Sequence, residues 1–342
     1  MNLKNNLLTV RWTLTFIIGT IWSVFSCQAI NPPFVIKHLG DGQSIVQIEN
    51  QKKFLLLPVE EAAPEAKLYM IADNDVVRNM NVRLAINKVD YFVPVDLSGF
   101  DNKSLSFNFQ LIPDTAICWD EMKLSNEFDT SNRESFRPLY HFTPQYGWMN
   151  DPNGMVYKDG VYHLFYQYNP YGSMWGNMHW GHAITKDFVH FEHLPIALYP
   201  SKDFDRNGCF SGSAIEIDDK LYLYYTAIKY AKENPNNVHN QYSDDDLRAS
   251  QALIVSNDGI HFDNIKNKKQ IIPMIQEGFI GDYRHTRDPK VWKKQDGKYA
   301  MVIGSKVAYK DDYCGKALFY ESEDAIHFNY KNSYQAVSYT HL

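Results

Sequence analysis

Thr185-Lys186-Asp187-Phe188-Val189-His190-Phe191, Ser256-Asn257-Asp258-Gly259-Ile260-His261-Phe262 and Ser322-Glu323-Asp324-Ala325-Ile326-His327-Phe328 are three copies of one phrase, Ser/Thr-x-Asp-x-x-His-Phe. Each is preceded by an aromatic, strand-like run, at Val161–Tyr168, Leu221–Ala227 and Lys298–Gly304. A unit recurring at this spacing reads as one blade of a β-propeller, four short strands with loops long enough to exceed the usual blade length. The Asp phrase is then a turn between the outer strands. Chemistry is not assigned to its Asp or His, because a residue needed in every unit is structural. Three copies are too few to close a ring, so the expectation is an incomplete propeller.

Upstream the pattern is also β. Ser44–Ile48, Phe54–Val59, Lys67–Ile71, Val82–Ile86, Tyr91–Val95 and Leu105–Leu111 are short runs, several alternating apolar and polar, with turn residues between them. They predict a β-sandwich-like domain over residues 28–135. The polar stretch Ser125–Pro138 reads as a linker, and residues 136–342 as the propeller part. The fold class expected is therefore all-β.

The first 27 residues read as a targeting segment. Lys4 and Arg11 precede the apolar run Trp12–Phe25, which is short for a membrane span. Val24-Phe25-Ser26-Cys27 resembles a bacterial lipobox, with Phe25 an unusual member. Cys27 would then be lipidated and begin the mature chain, anchoring an exported protein in the periplasm or at the cell surface. Ordinary secretion and an uncleaved anchor are the alternatives. Cys118, Cys209 and Cys314 remain, an odd number at wide spacing. They suggest buried side chains and neither a disulfide framework nor a metal site. His179 and His182 lie in a strand-like stretch, where packing or substrate contact is the expectation.

A net charge of −6 with 15% aromatic residues argues against nucleic acid as a partner, which would call for a basic stripe. It suits both a sugar-binding surface and a Tyr-rich β protein.

The features that occur once carry the chemistry. Trp148-Met149-Asn150-Asp151-Pro152-Asn153-Gly154 places a carboxylate between an amide and a proline, expected at a strand edge or tight turn. Gln167 follows on the first aromatic strand and Trp175 in the next loop. Phe210-Ser211-Gly212-Ser213 opens the second unit and Arg287-Asp288-Pro289 the third. Alone, Asn-Asp-Pro-Asn is an Asx-Pro turn and Arg-Asp-Pro a surface ion pair. Together they put Asp151 and Asp288 on the first strands of two blades, where two carboxylates could share one pocket, as glycoside hydrolysis requires. Arg287, if it touches Asp288, would keep it ionised.

In this order, these motifs resemble glycoside hydrolase family 32, which includes invertases, inulinases and levanases. The resemblance runs from His141 to about Tyr330. The first module resembles the N-terminal β-domain of fructan-degrading enzymes of gut Bacteroidetes. The resemblance implies a five-bladed propeller followed by a β-sandwich, and retaining hydrolysis of fructans such as levan and inulin, or of sucrose-type substrates. It implies Asp151 as nucleophile and Asp288 as transition-state stabiliser. Asn150, Gln167, Trp175, Phe210, Ser211 and Arg287 would line the fructose subsite. It implies no metal or organic cofactor.

The chain departs from that family in one respect. A retaining mechanism needs an acid/base carboxyl, in the family a Glu followed by Cys about one blade after Arg-Asp-Pro. Glu321 and Glu323 are the only glutamates after Asp288, and both sit at the repeated Asp phrase. The expectation is a C-terminally truncated copy, inactive as it stands and lacking the trailing sandwich, with Ala336–Leu342 foreign to the fold. A fructan-binding lipoprotein without catalysis is the alternative. Fructosyl transfer at the same site is less expected, and the heptad argues against an arabinanase or sialidase.

Overall fold

The computed structural model describes residues 32–131, 137–234, 237–241, 246–276, 280–309 and 312–335. The expected targeting segment, with Cys27, and Ala336–Leu342 lie outside the described residues. The described chain is all-β apart from one helical turn and one 3-10 turn, and its strands pair antiparallel throughout.

Strands β1 (Phe34–Gly40), β2 (Gln43–Ile48), β3 (Phe54–Val59), β4 (Ala66–Ala72), β5 (Asp75–Val82), β6 (Tyr91–Asp96) and β7 (Leu105–Gln110) come first. The helical turn α1 (Cys118–Glu121) and β8 (Lys123–Ser125) follow. They build a five-stranded sheet ordered β1-β2-β7-β4-β5 and a three-stranded sheet ordered β6-β3-β8. Period-two alternation places the core between them. On β4, Ala66, Leu68, Met70 and Ala72 are buried while Lys67, Tyr69 and Ile71 face outward. Leu55, Leu57, Val95, Phe107 and Phe109 join the same core.

The run Val82–Ile86, expected as a strand, is not one. Val82 ends β5, and Leu84 makes only an isolated bridge to Val59. The next turn wraps a carboxylate, with Ile86 and Asn87 donating their N–H groups to Glu60 Oε2 at 2.9 and 2.8 Å. The true strand lies earlier. Arg78, Asn79 and Asn81 interrupt the apolar alternation of β5 because its edge faces protein instead of water. Asn79 N–H donates to Pro200 O at 3.0 Å, Asn177 Nδ2 donates to Asn81 O at 3.2 Å, and the Arg78 guanidinium lies 4.1 Å from the Tyr199 ring centre. An open sheet edge is thereby covered.

Three four-stranded sheets follow, each a meander. The first is β9 (Trp148–Lys158), β10 (Val161–Asn169), β11 (His179–Thr185) and β12 (Phe191–Leu198). The second is β13 (Gly208–Ile217), β14 (Lys220–Tyr230), β17 (Leu247–Ser256) and β18 (Lys269–Ile272), interrupted by the hairpin β15 (Glu233–Asn234) and β16 (Asn237–Gln241). The third is β19 (Arg287–Lys293), β20 (Tyr299–Tyr309), β21 (Asp312–Ser322) and β22 (Asn329–Gln335). The middle sheet is covered on both faces, so β14 reads as an unbroken apolar run. Leu221, Leu223, Tyr225 and Ala227 pack toward the first sheet with Phe165 and Trp180. Tyr224 packs toward the third with Met301, Ile303 and Leu318. The first strands come together, β13 packing against both β9 and β19.

The three Asp phrases occupy equivalent turns, each between the third and fourth strands of its sheet. Asp258 Oδ1 accepts from Ile260 and His261 N–H at 2.9 and 2.8 Å, and Oδ2 meets His261 Nδ1 at 2.7 Å. Asp187 with His190 and Asp324 with His327 repeat the geometry. His179 and His182 are buried in β11. The His182 ring stacks on Phe165 at 4.2 Å, and its Nε2 lies 2.9 Å from His163 Nδ1.

Below these sheets lies a fully buried ion pair, Lys268 Nζ to Asp205 Oδ2 at 2.5 Å. Tyr225 Oη donates to the same oxygen at 2.8 Å, and Ser201 and Lys202 N–H donate to Oδ1 at 3.0 and 2.8 Å. Burial alone would lower the Lys268 pKa, yet Asp205 raises it above the ordinary value. Removing one charge strands the other, so Asp205→Asn should cost about 3–5 kcal/mol in chemical denaturation.

Burial pushes the His182 pKa down to about 3 from an ordinary 6.5. The folded state thus stays neutral while the unfolded chain takes up a proton. The resulting penalty is absent above pH 6.5 and grows as pH falls toward 3. Stability measured between pH 7 and pH 5 should fall with pH, less steeply in His182→Asn.

Candidate active site

Asp151, Ser211 and Asp288 sit on the first strands of the three sheets, and each lies at a β-bulge. On β9, Asn150 and Asp151 together oppose Gln167, between the pairs Met149–Tyr168 and Pro152–Tyr166. On β13, Ser211 is the extra residue between the pairs Phe210–Thr226 and Gly212–Tyr225. On β19, Asp288 and Pro289 fall between the pairs Arg287–Gly304 and Lys290–Val302. An inserted residue bends the strand and re-aims the side chain. The heptad, expected at a strand edge or tight turn, lies within β9, the edge strand of its sheet. Pro152 is tolerated there, and Pro289 in β19, because both strands are outermost in their sheets and need no second ladder partner.

The bulges bring the side chains together. Ser211 Oγ donates to Asp151 Oδ2 at 2.8 Å, and Asn150 Nδ2 donates to Oδ1 at 3.2 Å. Gly212 permits this course of β13, since a Cβ there would lie 2.0 Å from Tyr224 O. Asp288 adopts a left-handed backbone, φ 64°. Its N–H donates to Thr226 Oγ1 at 2.9 Å, Thr226 Oγ1 meets Gln251 Oε1 at 2.9 Å, and Gln251 Nε2 donates to Thr286 O at 2.9 Å. Ser213 clamps the same strand, donating to Pro289 O at 2.8 Å and accepting from Val291 N–H at 3.0 Å. Sequence reasoning missed Thr226 and Gln251, and it gave Ser213 no role. A polar residue inside each of two apolar strand runs, Thr226 in β14 and Gln251 in β17, was the available signal.

Burial pushes the Asp288 carboxyl above the usual carboxylate range. Arg287 pulls it down and Asp151 pushes it further up. The residue is nonetheless solvent-exposed, so the penalty comes from protein crowded around the carboxyl and not from enclosure. Arg287 acts on Asp288 in the expected direction, favouring the charged form, against a larger opposing desolvation.

The other residues expected at the site divide. Trp175 is 44% exposed and meets Phe210 edge-on, ring centres 6.0 Å apart. Its loop is fixed by Tyr171, buried in the core of the first module, and by Asn169 Nδ2, which donates to Met174 O at 2.9 Å. Gln167 is buried and donates to Cys209 O at 3.0 Å, so it ties β10 to β13 beneath the site. Cys118, Cys209 and Cys314 are buried thiols. Among the described residues no group of three or more His, Cys, Asp or Glu side chains could hold a metal ion, and no helix is long and apolar enough to cross a membrane.

Residues 141–341 match the glycosyl hydrolases family 32 N-terminal domain, and residues 40–140 match a domain of unknown function, DUF4980. The chain belongs to glycosyl hydrolase family 32. It is 43% identical over 189 residues to a sucrose-6-phosphate hydrolase of Zymomonas mobilis, covering 55% of this chain and 34% of that one. It is 44% identical over 173 residues to a levanase of Bacillus subtilis, covering 50% of this chain and 24% of that one. The chain thus spans about a third of the curated relatives it matches, or less. A family 32 glycoside hydrolase from Bifidobacterium adolescentis has a similar fold, with TM-score 0.51 at 20% identity, covering 84% of this chain and 56% of that one.

The opposed influences on Asp288 give a test of opposite signs. In carboxyl NMR titrations, Arg287→Gln should raise the Asp288 midpoint and Asp151→Asn should lower it. No movement in either variant would place the three groups farther apart than the structure has them.

Proposed function

We propose that this chain carries the nucleophile half of a retaining β-fructosidase site, acting on fructans or sucrose-type fructosides. Asp151 attacks the anomeric carbon of a fructosyl unit and holds it as a covalent ester. Asp288, fixed by Thr226 and Ser213, binds ring hydroxyls and steadies the oxocarbenium-like transition state. Asn150 and Ser211 orient the nucleophile, Arg287 lies beside Asp288, and Trp175 with Phe210 offers the aromatic wall of the subsite. The carrying observation is the Ser211–Asp151 hydrogen bond between neighbouring sheets, with Asp288 electrostatically coupled to Asp151 from the third. The three meanders are read as blades of a five-bladed propeller, with residues 28–135 as a separate sandwich-like domain.

No described residue is assigned as the acid/base carboxyl. Glu321 is held by Lys294 at 2.6 Å and lies near Lys298 and Lys331, while Glu323 pairs with Lys298 at 2.6 Å. Glu321 lies near the end of β21 and Glu323 in the turn after it, and Lys294 follows the end of β19 opposite to Asp288. The proposal therefore includes an acid/base supplied by residues other than those described, without which natural substrates turn over poorly. It also includes export and lipid anchoring through Cys27.

An aryl β-fructofuranoside with an acidic phenol needs no general acid to depart, so it tests the nucleophile alone. Mass spectrometry of the treated chain should find one anhydrofructosyl unit on the Asp151 peptide, and none in Asp151→Asn. No adduct on the wild type, or one that survives the substitution, would sink the assignment. Fructan binding without any adduct would favour a binding protein instead.

A further inference from the structure

A cavity of about 510 Å³ lies where the outer face of the β4–β5 hairpin meets the segment leading into β13 and the start of β15. Its size is that of a small-molecule site. Tyr69 and Asn79 face each other across the two strands and both line it. The Tyr69 hydroxyl and the Asn79 side-chain amide make no hydrogen bond with any described residue.

Most charges lining the cavity are already matched, Lys202 being the exception among the described residues. Lys67 pairs with Glu233. Arg206 spends Nη1 on Asp203 at 3.2 Å and Nη2 on Tyr230 O at 3.0 Å, and its Nε lies 3.3 Å from Glu233. An anionic ligand would meet one unmatched cation, Lys202, beside the carboxylates of Asp203 and Glu233. A neutral polyhydroxylated ligand needs no unmatched charge, and it could exchange hydrogen bonds with both Tyr69 and Asn79.

The cavity is connected to the site through a short stretch of chain. Arg206 precedes Phe210 by four residues, a reach of at most about 14 Å. Tyr230, whose carbonyl Arg206 holds, belongs to the cluster against which Phe210 packs. Phe210 in turn meets Trp175.

We infer that this cavity is a subsite for further units of a neutral fructo-oligosaccharide whose terminal unit occupies the Asp151 site. The first module thereby contributes directly to recognition of chains over disaccharides. The inference rests on the fructoside reading of the Asp151 site.

Calorimetric binding of inulin, levan and sucrose to the whole chain tests it. A Tyr69→Phe, Asn79→Ala double variant removes two polar groups and little packing. It should bind at least one of the polymers tenfold more weakly or worse and sucrose unchanged. Val76→Trp, which fills the cavity mouth without removing a contact, should do the same, and thermal melts of both variants should match the wild type. Trp175→Ala should weaken polymer and sucrose alike. If both cavity variants bind polymer normally while Trp175→Ala weakens everything, the subsite is wrong and the fructoside reading stands. If the wild type binds no fructoside at all, the fructoside reading falls first and takes the inference with it.

Discussion

A regular strand sends successive side chains to opposite faces. A regular β9 would therefore turn Asn150 and Asp151 apart, and a regular β13 would not bring Ser211 to the carboxylate. The bulges on β9, β13 and β19 remove that constraint at three adjacent strands. Each sits on a strand with a free edge, the place where a lost ladder bond and a proline cost least. The site is thus built where the sheets are least able to enforce regularity. Buried anchors restore precision: Gly212 against Tyr224, Ser213 on Pro289, and Thr226 under Asp288.

The same economy explains the first module. The hairpin β4–β5 would end the five-stranded sheet with an open edge, and the segments around Asn177 and Pro200 close it. Tyr171 enters the core of that module from the loop that also holds Trp175. A contact that protects an edge therefore also positions an aromatic wall. The buried Asp205–Lys268 pair works from the other side, pinning the turn before β13 to the approach to β18.

Much of this was legible. The Asp phrases were readable as turns because Asp, with Ser or Thr two residues before it and His three after, closes a loop by local hydrogen bonds alone. The aromatic strands were legible because a middle sheet buried on both faces leaves an unbroken apolar run. What escaped notice depended on distant partners. β5 looked too polar for a strand because Arg78, Asn79 and Asn81 answer to residues about a hundred positions away. Val82–Ile86 looked like a strand because local apolar character cannot reveal that the N–H groups at and just after its end, from Ile86 and Asn87, are drawn to Glu60. The net effect on Asp288 could not be read from Arg287 beside it, because burial is a property of the assembled sheets.

The site motifs divide accordingly into residues gathered at the bulges and residues that hold them there. Asp151, Ser211 and Asp288 meet at the bulges. Gln167, Gly212 and Ser213, from the same motifs, are turned inward and spent on strand-to-strand bonds or close approach. A motif of this kind is as much a folding instruction as a chemical one. Its polar residues recur together because a carboxylate aimed from a bulged edge strand is useful only when the neighbouring strand is held in register beside it. For that reason a substitution at Ser213 or Gly212, neither of which faces a sugar, should affect chemistry through the positions of Asp288 and Ser211.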